Sequence, residues 1–267
     1  MNISKNTIKL IATDLDGTLL NKNKEISKFN QEILKTLIND YNVQLILSSG
    51  RPYEGIKKYN EILNNKNNAI IFNSASIVDE NGKIIYRKTV EKYSSKQIVE
   101  LSKKYNVCIH VYENGKYIIS EDNFPIKSYV QNEKKRTVTV GLENIVDYEF
   151  DKILILGERD ILENFKKEID SNFDVHTCYS GSNFLEVISK EANKGNSLKW
   201  ICESKGISLD NAAAFGDNFN DIEMIEYAGI GVAMANAEEA VKQKANYTTI
   251  SNDDNGVGFF LKNVFEL

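Results

Sequence analysis

Apolar positions recur along the chain in two rhythms. The run Ile8-Lys9-Leu10-Ile11-Ala12 reads as a strand continuing to Thr13. Behind it Ile26, Phe29, Ile33, Leu34, Leu37 and Ile38 fall on one face of a helix expected over 26–39. Val43 to Leu47 and Ala69 to Phe72 are two more short apolar runs, separated by a polar, helix-like stretch. Short apolar strands alternating with helices predict a parallel sheet covered on both faces. The same rhythm returns after Ser189, with helices expected at Ser197–Lys205, Asn220–Tyr227 and Ala237–Lys244 and strands at Ala212–Phe215, Ile230–Met234 and Tyr247–Ile250. Gly206 and Gly229 stand where the first two of these helices should stop.

The middle of the chain follows a different pattern. Strands are expected at Lys83–Val90, Thr137–Val140 and Lys152–Leu156, and helices at Ser94–Tyr105, near Ile126–Glu133 and at Ile161–Ile169. Val107–Tyr112 and Lys116–Ser120 flank Glu113-Asn114-Gly115, and Asn-Gly is a hairpin signal because both residues tolerate positive φ. Phe173–Tyr179 and Phe184–Ile188 read as a second hairpin. The expected fold is therefore α/β: a Rossmann-like parallel-sheet core in two segments, 1–82 and 190–267, with an α+β domain inserted over 83–189.

Composition narrows the function classes. With 42% hydrophobic residues, 27% charged residues and only 2 Pro and 15 Gly, the 267-residue chain has neither the bias of a disordered protein nor a low-complexity linker. A net charge of −5 argues against nucleic acid as a partner. No apolar stretch approaches membrane-spanning length, and MNISKNTIKL lacks the apolar core of a signal peptide. Cys108, Cys178 and Cys202 match no zinc or disulfide spacing, which fits buried thiols in a reducing cytoplasm. His110 and His176 are too separated for a metal cluster; a structural role is favoured, with a substrate contact left open by histidine's titration range.

The candidate chemistry lies at the ends of the core strands. Asp14 and Asp16, two apart in extended backbone, leave the same side of the first strand. Two like charges there raise each other's cost of ionisation, so a cation or a shared proton is expected between them. Asp217 ends a later strand, with Asn220 and Asp221 close behind. Any one of these could simply cap a turn, but together they form an oxygen site suited to Mg2+, which takes few carboxylates and keeps room for water and phosphate. A carboxylate beside the metal can attack phosphorus, and a second, two residues on, can protonate the leaving oxygen and later deprotonate water. Ser49-Gly50 follows a strand and offers a hydroxyl and an N–H to an oxyanion. Lys194-Gly195 opens the helix containing Trp200, although Lys190 and Lys199 compete with Lys194 on spacing alone. Arg51 fits either the site or a loop brace.

"DLDGTLL" (14–20), "SSGR" (48–51), Lys194-Gly195 and "GDNFND" (216–221) occur in the order of the haloacid dehalogenase superfamily, and the chain resembles its Cof-like sugar-phosphatase branch, which carries a large type IIB cap between the second and third motifs. "GVAMANA" (231–237) and "ANYTTISNDDNGVG" (245–258) extend the likeness. The resemblance implies Asp14 as nucleophile and Asp16 as general acid/base. It implies Mg2+ held by Asp14, the Asp16 carbonyl and Asp217, with Asp221 supporting the metal through water. Phosphate would be held by the Leu15 and Asp16 N–H groups, Ser49, Gly50, Lys194 and Asn220. Ser49 stands where Thr is frequent, and Ser74 and Ala235 each replace a customary glycine, which bears on local turn geometry.

The resulting expectation is a cytoplasmic, Mg2+-dependent phosphatase of small phosphorylated metabolites, sugar phosphates foremost, working through an aspartyl-phosphate under a closing cap. Phosphate monoesters are so inert that accelerations reach ~10²¹-fold, so metal, lysine and N–H donors must act together. A phosphomutase built on the same core is one alternative. A phosphorylatable or phosphate-sensing module without turnover is the other, and Asp16 argues against it.

Overall fold

Strand β1 (Leu10–Asp14) is buried from end to end, as expected of a central strand with helices over both faces. In this computed structural model, which describes residues 7–105, 107–114, 116–120 and 138–267, β1 pairs in parallel with β2 (Gln44–Ser48) on one side and β12 (Ala212–Gly216) on the other. β13 (Ile230–Ala233) and β14 (Tyr247–Thr248) extend the sheet in parallel beyond β12. β3 (Ala69–Ile71) pairs in parallel with β2. The expected α/β architecture with a parallel-sheet core is the observed one.

Two strands at the far edge depart from the sequence reading. β4 (Ser76–Val78) runs antiparallel to β3, and β5 (Ile84–Arg87) completes an eight-stranded sheet in the order β14-β13-β12-β1-β2-β3-β4-β5. β4 is three residues long and follows a tight turn, so no periodicity announces it. β5 falls in the expected insert but joins this sheet, where Tyr86 packs on Trp200 with ring centroids 4.8 Å apart. The chain divides between Tyr86 and Arg87 and between Ala192 and Asn193, against expected borders at 83 and 189.

Several ends also move. Helix Lys28–Asp40 begins two residues later than expected because the Ser27 hydroxyl accepts the Asn30 N–H and caps it. Helix Lys194–Lys205 begins earlier than expected, capped by Asn193, and stops at Gly206 with φ +65°. Asn220–Tyr227 splits into a 3-10 turn, Phe219–Asp221, and a helix, Ile222–Tyr227. The helix expected over 237–244 is confined to Glu239–Lys242, and a closing helix, Gly256–Phe265, has no counterpart in the sequence reading.

The second unit, Arg87–Ala192, carries a six-stranded sheet. Its strands are β6 (Cys108–Glu113), β7 (Lys116–Ile119), β8 (Val138–Val140), β9 (Phe150–Leu156), β10 (Val175–Gly181) and β11 (Phe184–Ser189). They lie in the order β10-β11-β9-β6-β7-β8, and every pairing except β7 with β8 is antiparallel. Helices Lys92–Tyr105 and Arg159–Asn172 bring Ile98, Val99, Leu162 and Phe165 against Ile109, Val111, Ile153 and Ile155 of the sheet. The helix expected near Ile126–Glu133 and the first residue of the Thr137–Val140 strand lie outside the described residues. His110 is buried and bonded through Nδ1 to the Tyr117 hydroxyl at 2.5 Å, and burial pushes it down to about 4. No helix among the described residues is long and apolar enough to cross a membrane.

Candidate active site

Parallel pairing sets Asp14 beside Ser48 and Thr13 beside Phe215, so the segments leaving β1, β2 and β12 emerge at one edge of the sheet. Asp14 ends β1 and is buried. Lys194, 1% exposed, places its ammonium 2.6 Å from Asp14 Oδ1 and 2.5 Å from Asp221 Oδ1. Its position depends on Gly195: a Cβ there would lie 2.7 Å from the Glu223 carbonyl, so the glycine lets the lysine's helix approach helix Ile222–Tyr227. Lys190 and Lys199, which spacing leaves open, pair instead with Asp174 at 2.7 Å and Glu203 at 4.0 Å.

Asp221 is fully engaged. Beyond Lys194, its Oδ2 accepts the N–H groups of Asp217 at 3.0 Å and Asn218 at 3.1 Å, which tightens the turn after β12. Asp217 accepts a hydrogen bond from the Thr18 hydroxyl at 2.8 Å. Gly17 stands against it with φ +91°, and a Cβ on Gly17 would come within 2.3 Å of Asp217 Oδ2. That position therefore needs glycine twice over, for its backbone and for its neighbour.

Asp14, Asp217 and Asp221 each offer a carboxylate oxygen, and these atoms lie within 4.8 Å of one another. Three carboxylates share one ammonium, so negative charge is in surplus. Burial pushes Asp14 up to about 7; Asp221 and Asp217 add to the rise and Lys194 opposes it. Burial likewise lifts Asp217 to about 6 against the Thr18 hydrogen bond. Burial alone would lower Lys194, but Asp14 and Asp221 hold it above its ordinary value, so it stays charged. An all-oxygen, under-compensated set fits a hard divalent cation.

Asp16 points elsewhere. Arg51 donates to it from Nε at 2.8 Å and from Nη2 at 2.6 Å, and Lys24 donates at 2.7 Å. Partial burial would raise its pKa, but the hydrogen bonds from Arg51 and Lys24 hold it below the usual carboxylate range.

The third part of the site is a hydrogen-bonded loop pair. Ser49 is buried, and its Oγ accepts the Arg51 N–H at 3.2 Å, which leaves the hydroxyl proton to be donated elsewhere. Asn73 donates its N–H to the Ser49 carbonyl at 3.2 Å, lies against Gly50, and accepts from Asn220 Nδ2 at 3.1 Å. Phe72, Asn73 and Ser74 are all left-handed, with φ of 53°, 52° and 80°. A serine in place of glycine is thus strained here, whereas Ala235 keeps φ out of that region. Leu15, fully buried, closes the β1 turn by accepting the Leu20 N–H at 2.8 Å.

Three residues of this arrangement, Thr18, Asn73 and Lys24, escape the sequence reading. Thr18 sits inside a motif quoted for other reasons, and Asn73 falls between an apolar run and Ser74. Arg51, open on sequence between site and loop brace, bonds both Asp16 and Ser49, and Lys24 carries no sequence signal.

The chain matches the haloacid dehalogenase-like hydrolases over residues 11–261. It is 32% identical to the 5-amino-6-(5-phospho-D-ribitylamino)uracil phosphatase YitU of Bacillus subtilis, over 97% of this chain and 98% of that protein. A solved haloacid dehalogenase-like hydrolase from Bacteroides thetaiotaomicron superposes with a TM-score of 0.83 at 31% identity, covering 97% of this chain and all of that one. A solved subclass IIB sugar phosphatase shares the fold, with a TM-score of 0.78 at 22% identity and coverage of 96% and 98%. The resemblance drawn from the motifs therefore holds along nearly the whole chain, which belongs to the haloacid dehalogenase-like hydrolase family.

Proposed function

We propose that this hydrolase is a Mg2+-dependent phosphatase that releases phosphate from small phosphomonoesters, sugar phosphates foremost, by way of a phosphoryl group carried on Asp14. The observation that carries the reading is the pairing of Asp14 with Lys194 inside a three-carboxylate cluster, while Asp16 is held apart by cations of its own. The name of the Bacillus subtilis relative, a phosphatase of a ribitylamino-uracil phosphate, supports a small phosphorylated metabolite as substrate.

In this mechanism an Asp14 oxygen attacks phosphorus and the bond to the ester oxygen breaks. Asp16 gives that oxygen a proton, and the alcohol leaves. Water then attacks the phosphoryl group, Asp16 takes the proton released, and the bond to Asp14 breaks to free inorganic phosphate. Lys194, Ser49, the Gly50 N–H and Asn220 hold the phosphoryl oxygens as charge builds on them. Asp14, the Asp16 carbonyl and Asp217 would hold Mg2+, with Asp221 in support. Bound there, Mg2+ offsets the surplus of carboxylates and polarises the phosphoryl group. The resting hydrogen bonds suit Asp16 to the water-activating half, and the acid half requires Lys24, which shares Oδ1 with Arg51, to let go.

Phosphate release from a panel of sugar, polyol and aryl phosphates, with Mg2+ and with a chelator, tests the proposal. Turnover that chelation abolishes and Mg2+ restores is expected. Equal rates in both conditions, or no release from any ester, would overturn it.

A further inference from the structure

Arg51 ties two separate parts of the site together. Its backbone N–H donates to Ser49 Oγ at 3.2 Å, and its guanidinium grips both carboxylate oxygens of Asp16. A two-pronged grip fixes the plane of a carboxylate, which a single ammonium cannot do. The guanidinium is itself supported. Its central carbon lies 5.9 Å from the ring centroid of Tyr59, which is 1% exposed on helix Tyr53–Leu63. The Tyr59 hydroxyl donates to the Lys24 carbonyl at 3.0 Å, and Lys24 Nζ reaches the same Asp16 at 2.7 Å. One buried tyrosine thus stands behind both cations that hold Asp16.

We propose that Arg51 is the positioning residue of Asp16: it aims the carboxyl group at the leaving oxygen, with Tyr59 bracing that aim. The proposal rests on the phosphatase reading, since Asp16 has a leaving group to serve only there. Arg51 acts through Asp16 and does not touch the phosphoryl group. Its removal therefore matters in proportion to how much the leaving oxygen needs a proton. An alkoxide needs one, whereas para-nitrophenolate departs well without it. A general acid contributes roughly 10²–10⁴-fold where it is needed. The term kcat/KM reports events up to phosphoryl transfer, so the later water step does not enter it.

The test compares Arg51→Met and Arg51→Lys with the wild type on an alkyl phosphate and on para-nitrophenyl phosphate, with Mg2+ present. Arg51→Lys keeps the charge without the two-pronged grip and serves as the second probe should the methionine variant fold poorly. Loss of at least about 30-fold in kcat/KM on the alkyl ester, with less than about 5-fold on the aryl ester, is expected for Arg51→Met, within the range a general acid supplies. The lysine variant should fall between it and the wild type on the alkyl ester. Equal losses on both esters would make Arg51 a structural brace only and overturn the proposal. No loss on either would overturn it as well. A wild type that hydrolyses neither ester would overturn the phosphatase reading and this inference with it, and the wild-type rates tell that case from the others.

Discussion

Asp14→Asn is expected to abolish phosphate release, lowering kcat/KM by on the order of 10⁴-fold or more, the scale seen when the nucleophile of a covalent mechanism is removed. The loss is chemical, because an amide oxygen in the same place cannot carry the phosphoryl group. The fold should tolerate the change well. Lys194 keeps its bond to Asp221 at 2.5 Å, so no buried ammonium is left alone. One of the carboxylates that burial and Asp221 had pushed up in pKa is gone as well. Steady-state phosphate release together with a denaturant midpoint, both in chelator-treated and Mg2+-loaded protein, checks the two halves of this expectation. A variant that keeps more than a tenth of wild-type activity contradicts the assignment of Asp14.

Lys194→Met acts on the same cluster with the opposite effect on stability. Methionine matches the lysine stem but brings no charge, so Asp14 and Asp221 face each other without a counter-ion in a site where Lys194 is 1% exposed. Removing one partner of a buried ion pair costs about 3–5 kcal/mol, because the charge left behind is neither solvated nor paired. The metal-free variant should therefore unfold at clearly lower denaturant than wild type. Turnover should fall about 10²–10³-fold, the effect of losing one donor to the developing phosphoryl charge. Chelator-treated samples are the ones to compare for stability, since a bound cation would mask part of the loss. A midpoint unchanged from wild type would mean that the two carboxylates do not depend on Lys194.

These contrasts come from geometry that the sequence only partly contains. The central strands are legible because each is a short apolar run next to a helical pattern, as with β1 (Leu10–Asp14) and β2 (Gln44–Ser48), which flank helix Lys28–Asp40. Asp14, Ser49 and Asp217 are legible because each stands just past such a run, whereas only the family resemblance separates Lys194 from Lys190 and Lys199. Arg51 was visible as a residue but not as a partner of Asp16, since nothing in the spacing says which way a long side chain turns. Lys24 gave no sign. It sits in a loop with φ +60°, and its approach to Asp16 depends on how that loop closes. β4 gives no periodic signal because it is three residues long, while β5, expected as part of a strand over 83–90, belongs to the core sheet for a tertiary reason that spacing does not carry, Tyr86 packing on Trp200. The closing helix, Gly256–Phe265, carries two glycines that weaken its helical signal, and one of them, Gly258, donates its N–H to the buried Asn30 side chain at 3.0 Å.

Passage of a phosphoryl group through Asp14 should leave its clearest trace in Asp16→Asn. With para-nitrophenyl phosphate and Mg2+ the first half of the reaction needs no acid, while the second half has lost its base. The expected result is a rapid burst of about one para-nitrophenol per protein molecule, followed by slow turnover. Acid-quenched, digested samples should carry the phosphoryl group on the peptide containing Asp14. Steady release with no burst and no label, or a label on any other peptide, would contradict the account.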